Sequence, residues 1–339
     1  MSPEPSSSPE SSGEQGRQPR TLVVPSPKLS RSLLQLDGLS SIAASGRAMG
    51  VLATEAQMAV LDPSLVKWRL DRHPPESLAL PVSLERASTD AAVLRRYDFE
   101  EAVFLAGASS AAALAARAGI PVRRGFGGLA AWRLTHKDAE PKTGHVTTTA
   151  KPLLEAMGVP WSPRPLHISD TWRRTGLDRL RSAKLDPGDG RLIGVYVGNS
   201  GSLQGGLWPT ERFEELIRRL RGPKRHLVIL SSDSDLWQTV LLHERTDKRH
   251  PVIGPDLHFD GLAATLSHLD LVVSGDSAML QLAAAVGTTT LGLFRRGADR
   301  FAPLGDRHHV IEQPPKSLAL ETVFERCEQI LDGFPDQDS

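Results

Sequence analysis

The stretch from Asp270 to Gly287 constrains the fold more than any other part of this chain. Its apolar, β-branched run at 271–273 predicts a buried parallel strand. The run ends at Ser274-Gly275, and apolar residues at helical spacing predict a helix over 276–286. The free N–H groups at the start of such a helix point out of the carboxyl edge of the sheet, where α/β proteins bind phosphates. In a simpler interpretation, Asp276 is an ordinary helix N-cap.

Short apolar runs alternate with amphipathic helical patterns along the rest of the chain, which is typical of βαβ units. The predicted strands are residues 21–24, 49–53, 102–105, 192–197, 226–230, 271–273 and 289–294. The predicted helices are residues 29–39, 111–118, 146–157, 170–182, 209–220, 235–244, 260–267, 276–286 and 318–331. The sequence therefore predicts an α/β fold with two doubly wound, Rossmann-like domains that face each other across a cleft.

The domain boundaries follow from shifts in composition. Residues 1–20 are mainly Ser, Pro, Glu, Gly and Gln with almost nothing to bury, so we expect a disordered tail that stability does not require. One Rossmann-like domain is predicted over 21–165 and a second over 191–315. A linker region rich in Pro, Arg, Asp and Gly, residues 166–190, joins them and contains one helix. Residues 316–333 predict a helix whose apolar stripe packs back on the body.

Composition excludes several classes of function. The chain has 40 basic and 40 acidic residues, and this zero formal net charge argues against a nucleic-acid partner. Its single cysteine, Cys327, cannot form an internal disulfide and favours a reducing compartment. The sequence shows neither an apolar run long enough to span a bilayer nor a secretory signal. We therefore expect a cytoplasmic protein.

Common cofactor and catalytic motifs do not occur in the sequence. A P-loop, a G-x-G-x-x-G after a strand, H-E-x-x-H, paired C-x-x-C and G-x-S-x-G are all missing. No cofactor is therefore predicted, and a nicotinamide oxidoreductase is disfavoured. His308-His309 has no third ligand at metal spacing, so no metal site is predicted. A basic cluster at the end of one predicted helix either complements the helix dipole or contacts an anionic membrane surface or acceptor; it comprises Arg218, Arg219, Arg221, Lys224 and Arg225.

Four segments together resemble the motifs of a known family. Residues 201–209, Gly-Ser-Leu-Gln-Gly-Gly-Leu-Trp-Pro, stand where that family has a Gly-rich loop and K-x-W-P opening a helix. Residues 231–235 resemble its G-G-P-x-D-like turn, and 270–287 resemble D-L-V-V-x-x-D-S-G-P-M-H-L-A-A-A-x-G. Residues 104–126 resemble a segment ending A-G-I-P-x-R-x-G-Y. Over roughly residues 21–333 the chain resembles glycosyltransferase family 9, the ADP-heptose:lipopolysaccharide heptosyltransferases and their relatives.

The resemblance implies the GT-B fold and transfer of a heptose-like sugar from a nucleotide diphosphate donor, such as ADP-heptose, to a lipopolysaccharide or other envelope glycan. The N-terminal domain would face the acceptor, and the C-terminal domain would bind the nucleotide sugar without a metal. Peripheral contact with the cytoplasmic face of the inner membrane would suit such an acceptor. The implied substrate-binding residues are Asn199, Ser200, Gly201, Gly206, Asp276, Ser277, Ala278 and Gln281. Three cations further along would add positive charge for the diphosphate: Arg295, Arg296 and Arg300.

The chain departs from the family pattern where the chemistry is expected. The family's L-G-D, whose Asp is implied as the general base, corresponds to Leu29-Ser30-Arg31, and a guanidinium cannot accept a proton. The Lys of K-x-W-P corresponds to Gly206, and the His of D-S-G-P-M-H corresponds to Gln281.

Three interpretations of these departures stay open. Asp37, further along the helix that contains Arg31, has become the base, or Arg31 has become a phosphate contact that replaces the missing Lys. In the third, catalysis is lost and the chain is a nucleotide-sugar-binding or scaffold protein derived from such an enzyme. Loss of a single general base typically costs about 10²–10⁴-fold in rate, so it does not by itself abolish transfer.

Overall fold

The computed structural model describes residues 19–334, except for 27, 55–56, 59–60, 62–63, 65, 72–83, 108–109, 128–130, 164–165, 167, 199–207, 233–234 and 255–258. Residues 1–18 of the predicted tail therefore lie outside the described part of the chain. Four of the implied substrate-binding residues also lie outside it: Asn199, Ser200, Gly201 and Gly206.

The first half, residues 19–163, alternates strands and helices. Its strands are β1 (Arg20–Val24), β2 (Ala48–Ala53), β3 (Trp68–Asp71), β4 (Glu101–Gly107), β5 (Val122–Phe126) and β6 (His136–Asp138). Its α-helices are α1 (Leu29–Leu34), α2 (Leu36–Ala44), α3 (Leu84–Arg95), α4 (Ser110–Arg117) and α5 (Lys151–Ala156). Short 3₁₀ turns cover Ala131–Arg133 and Val146–Ala150.

The second half, residues 166–334, repeats the alternation. Its strands are β7 (Arg191–Tyr196), β8 (Arg225–Leu230), β9 (Val252–Ile253), β10 (Leu271–Gly275), β11 (Thr289–Phe294) and β12 (His308–Glu312). Its α-helices are α6 (Asp170–Ser182), α7 (Thr210–Leu220), α8 (Leu236–Arg245), α9 (Phe259–Leu266), α10 (Ala278–Ala285), α11 (Ala298–Phe301) and α12 (Leu320–Asp332). A 3₁₀ turn at Pro187–Asp189 precedes β7.

Each half contains a six-stranded sheet whose described strands all pair in parallel. The first sheet has the order β3-β2-β1-β4-β5-β6. The second has the order β12-β11-β10-β7-β8-β9, which is the same winding once the strands are numbered from β7. In this doubly wound order the chain reverses direction across the sheet between β1 and β4, and again between β7 and β10. Ligands of open α/β sheets bind at the carboxyl ends of the strands flanking such a switch point.

Helices cover both faces of each sheet, because parallel strands bury the two faces alike. Alternation along β1 sends Val23 into the core with α2 and α5, and Leu22 into the core with α3 and α4. One face of the second sheet is covered by α7 and α12, and the other by α6, α9 and α10. None of the helices in the described residues is long and apolar enough to cross a membrane.

The predicted helix over 29–39 is wrong as a single element. The chain breaks at Gln35, whose φ of −96° and ψ of 0° close α1 and precede α2. The Gln35 side chain explains the break, because its amide is buried and bonded to two separate backbone segments. Arg31 therefore lies on α1 and Asp37 on the first turn of α2, so the two do not share a helix.

The helix of the predicted linker packs on the second half. Gly176 of α6 lies against the backbone of α9, where a Cβ atom would come within 2.6 Å of the Ala264 carbonyl carbon. Leu180 of α6 joins the core that includes β7. The contact is close because Gly176 has no side chain, so these two helix backbones nearly touch.

Candidate functional site

The two switch points lie close to each other in space. α1 follows β1 and α10 follows β10, and these two helices pack against each other across the boundary between the halves. Leu33 of α1 is buried in the same apolar cluster as Met279 and Leu282 of α10. The loops that precede these helices, at the carboxyl ends of β1 and β10, form the candidate site.

The start of α10 is organised by serines rather than by Asp276. Ser277 is the N-cap, with its Oγ accepting the Leu280 N–H at 3.1 Å and lying 2.8 Å from the Ser274 Oγ. The interpretation of Asp276 as the N-cap is therefore wrong, and the predicted helix start at 276 moves to Ala278. Asp276 is only 5% exposed and immediately precedes the cap. The first-turn N–H groups of α10 thus begin at the carboxyl end of β10, as the phosphate-site prediction requires.

Gln281 ties α10 to the neighbouring α11. The residue is 3% exposed, and its Nε2 donates to the Phe301 carbonyl oxygen at 2.7 Å. Ala278, one turn earlier, is also buried. The implied substrate-binding residues in the described part of the chain therefore lie together at the start of α10. They are Asp276, Ser277, Ala278 and Gln281.

The cations after β11 lie beside this turn. β11 pairs with β10, with Leu293 opposite Gly275, so Arg295 and Arg296 follow at the same sheet edge and are exposed. Arg300 is half-buried with its guanidinium 5.5 Å from the Phe301 ring centroid. Its Nε is buried and has no hydrogen-bond partner among the described residues.

A carboxylate occupies the start of α11 itself. The Gly297 and Ala298 N–H groups donate to the Glu312 carboxylate at 3.2 and 3.0 Å. This helix terminus therefore has its own anion, and we assign no phosphate to it.

The loop between β1 and α1 is held by two buried glutamines that sequence reasoning missed. The Ser26 N–H donates to the Gln35 Oε1 at 2.8 Å, and the Gln57 Nε2 donates to the Ser26 carbonyl at 2.6 Å. The Gln35 Nε2 also donates to the Leu105 carbonyl at 2.5 Å, which anchors the loop to β4. Buried amides with both ends bonded fix the backbone that precedes Arg31.

Arg31 forms an ion pair within the first half. Its Nη2 lies 2.5 Å from the Glu140 Oε1, and the two side chains are 28% and 38% exposed. Glu140 follows β6 and is 109 residues distant in sequence, so no local pattern indicated the pair. The Arg31 Nε is buried without a hydrogen-bond partner in the described residues.

Asp37 lies apart from this pair. It is half-buried, and burial raises the pKa of its carboxyl. Ser41, one turn later on the same face of α2, accepts the Ser162 N–H at 2.9 Å. That face therefore lies beside the segment that leaves the first half. Arg31 and Asp37 lie on different helices.

The described motif residues on either side of positions 199–207 have structural roles. Trp208 is buried, with its Nε1 donating to the Leu318 carbonyl at 3.1 Å and its ring packed edge-on against Phe213. Tyr196, at the end of β7, donates its hydroxyl to the Asp235 carboxylate at 2.5 Å. Gly198 passes so close to Asp235 that a Cβ atom would lie 2.5 Å from it. The chain thus leaves the carboxyl end of β7, at Gly198, beside a buried carboxylate.

The other sequence candidates have structural partners. In the basic cluster, Arg218 pairs with Glu214 at 2.7 Å, Arg219 with Glu321 at 2.6 Å, and Arg225 with Glu328 at 2.5 Å. Burial lowers the pKa of both His308 and His309. No group of three His, Cys, Asp or Glu side chains within the described ranges could hold a metal ion.

Comparison with known proteins agrees with this fold. The sequence model of a protein family described as "Glycosyltransferase family 9 (heptosyltransferase)" matches residues 91–324. No curated protein matches the chain by sequence. A glycosyl transferase family 9 structure from Veillonella parvula superposes with a TM-score of 0.80 at 17% identity, covering 93% of this chain and 98% of the other.

Two Escherichia coli structures are also similar. ADP-heptose lps heptosyltransferase II gives a TM-score of 0.76 at 17% identity, covering 92% of this chain and 98% of its own. Heptosyltransferase WaaC with ADP gives 0.72 at 17% identity, covering 92% and 99%. At these identities the matches establish the fold, and the predicted α/β, GT-B-like fold with two doubly wound domains is confirmed; the structure gives each domain a parallel six-stranded sheet.

Proposed function

The chain belongs to glycosyltransferase family 9, and from this premise we propose that it transfers a heptose-like sugar from a nucleotide diphosphate donor to a lipopolysaccharide or other envelope glycan. The observation that carries the proposal is the start of α10. It opens at the switch point of the second sheet and packs beside α1 from the switch point of the first. Two substrates held at these facing edges would meet between the halves.

The donor's diphosphate would bind at the start of α10. The N–H groups of Ala278 and Met279 lie in the first helical turn, where a helix favours anions. Arg295 and Arg296 would compensate for the cation missing at Gly206, because they leave the adjacent strand at the same edge. The ADP in the WaaC structure supports an ADP-linked donor.

A carboxylate of the first half would accept the proton of the acceptor hydroxyl, since Arg31 cannot. Glu140 is the better placed of two candidates, because it follows β6 at the carboxyl edge and lies against Arg31. Asp37 has the pKa raised by burial, but its helix face lies beside Ser162. We therefore assign the base role to Glu140 and a positioning role to Arg31.

The ion pair also favours a second candidate function. If Arg31 and Glu140 serve only to hold the first half together, the chain binds a nucleotide sugar without transferring it. Peripheral contact with the cytoplasmic face of the membrane belongs to the transferase proposal, since a lipid-linked acceptor is presented there.

Calorimetry with ADP-heptose and a panel of UDP- and GDP-sugars tests donor binding, and release of the nucleotide in the presence of lipopolysaccharide acceptor tests transfer. We expect binding of an ADP-sugar, at least tenfold weakened when Arg295 and Arg296 are replaced together by alanine, and unchanged by Asp178→Ala on the exposed face of α6. Glu140→Gln should lower the rate of transfer by about 10²–10⁴-fold while retaining donor binding. Binding without turnover would favour the second candidate, and no binding of any nucleotide sugar would refute both.

A further inference from the structure

A histidine of the first half bonds directly to the second half. The His145 Nε2 lies 2.7 Å from the carbonyl oxygen of Ala302, 157 residues away. On the other side of the ring, Nδ1 accepts the Thr147 N–H at 3.2 Å. Because Nδ1 accepts a hydrogen bond, it carries no proton, so the proton of the neutral ring lies on Nε2, which donates to the Ala302 carbonyl. The neutral ring therefore has one fixed tautomer and one fixed orientation.

The residue that receives this bond ends α11. This helix has only four residues, too few to be stable by itself, so its position depends on its contacts. Within its own half the helix is held by the Gln281 bond to the Phe301 carbonyl, by the Glu312 carboxylate at its first N–H groups, and by apolar packing against Leu280 and Phe294. His145 supplies one more contact, from across the boundary. The helix carries Arg300 and directly follows Arg295 and Arg296.

We infer that His145 is a positioning residue, which acts together with the packing of α1 on α10 to fix the two halves relative to each other and thereby holds α11 and its neighbouring cations against the start of α10. The donor part of this inference, namely that His145 supports binding of the nucleotide donor, rests on the proposed function. His145 touches no reacting group itself and acts through the Ala302 carbonyl. Its bond exists only while the halves are in contact, so the cation arrangement depends on their apposition.

Two histidine variants and one matched control test the donor part. His145→Ala removes the bond, whereas His145→Gln keeps an amide N–H of similar reach. His268 provides the control, since its Nε2 makes the same kind of bond, 2.8 Å to the Arg173 carbonyl, but within the second half. We expect ADP affinity to fall about five- to tenfold in His145→Ala, and to stay within twofold in the other two variants. Unchanged affinity in His145→Ala, or an equal loss in His268→Ala, would overturn the donor part.

A distance measurement tests the contact without any donor. Arg96 and Thr322 are exposed residues on the first and second halves, and each can be replaced by a labelled cysteine. The native Cys327 does not interfere, because it is fully buried and burial raises the pKa of its thiol to about 12. Double electron–electron resonance between spin labels on these two cysteines should show a broader distance distribution in His145→Ala. In His145→Gln and His268→Ala the distribution should be like that of the native chain.

An identical distribution in His145→Ala would refute the inference that His145 holds the halves. Absence of nucleotide binding in the unsubstituted chain would instead refute the proposed function. The label distances would still decide whether His145 fixes the halves.

Discussion

Replacing Ser277 by alanine perturbs the start of α10 at a single atom. The Ser277 Oγ is fully buried, accepts the Leu280 N–H and contacts the Ser274 hydroxyl. After the substitution, the Leu280 N–H has no side-chain acceptor, and water does not reach a residue that is 0% exposed. Ser274 keeps its bond to the Gly275 carbonyl at 2.9 Å, so it is not orphaned. The perturbation is therefore confined to the helix start.

The expected loss of stability is about 2 kcal/mol. Loss of a serine N-cap typically costs about 0.5–2 kcal/mol, and a buried unsatisfied donor falls within about 1–3 kcal/mol. These two figures describe overlapping effects, so they are not added. Ser169→Ala is the matched control, because Ser169 caps α6, a helix that is not part of the candidate site, by accepting the Trp172 N–H at 3.2 Å. Its more exposed cap should cost about 1 kcal/mol.

Urea unfolding measures the stability of both variants, and calorimetry with ADP measures the site. If the diphosphate binds the first-turn N–H groups that the cap orients, Ser277→Ala should weaken ADP binding by about three- to tenfold, which corresponds to roughly 0.6–1.4 kcal/mol. Ser169→Ala should leave ADP affinity unchanged. Loss of stability in Ser277→Ala with native ADP affinity would show that the cap serves the fold alone, and the placement of the diphosphate would be wrong.

Three further predictions concern packing and protonation. Gly176→Ala should destabilise the chain by about 1–3 kcal/mol in urea, since its Cβ would meet the Ala264 backbone at 2.6 Å; no loss would mean that α6 and α9 are not this close. Cys327 should not react with a thiol reagent at pH 8 until the chain is unfolded, because burial raises its pKa to about 12; rapid reaction in the native state would contradict its burial. Burial lowers the pKa of His145, although the hydrogen bond to Ala302 and the charge of Asp299 act in the opposite direction. The neutral ring therefore stabilises the folded state above about pH 6.5, and this stabilisation is lost as the pH falls through the lowered pKa of the folded chain. His145→Gln should therefore lose less urea stability than the native chain between pH 7.5 and 5, and an equal loss would contradict the shift.

The repeated winding of the two sheets explains why the site lies at their boundary. Each sheet has one switch point, and only the carboxyl ends of its strands present loops and helix starts that bind ligands. Contact between α1 and α10 places the two switch points near each other. Two of the residues that differ from the family motifs, Arg31 and Gln281, lie within this region. Arg31 bonds to Glu140, and Gln281 bonds to the Phe301 carbonyl.

The sequence by itself determined the elements whose pattern is local. The predictions of residues 170–182 and 289–294 coincide with α6 and β11 in the structure. These succeed because apolar periodicity and end signals are properties of neighbouring residues. The same reasoning located the strand, turn and helix around Asp276, although Ser277 rather than Asp276 caps the helix.

Edge strands and pairings between distant residues were decided only by the tertiary structure. β6, with the sequence His-Lys-Asp, has no apolar pattern and becomes a strand because β5 supplies hydrogen-bonding partners at the sheet edge. Arg31 meets Glu140, and His145 meets Ala302, across 109 and 157 residues of chain. Hydrogen bonds and ion pairs require groups within a few ångströms of each other, and the sequence alone does not specify which distant groups the folded chain brings that close.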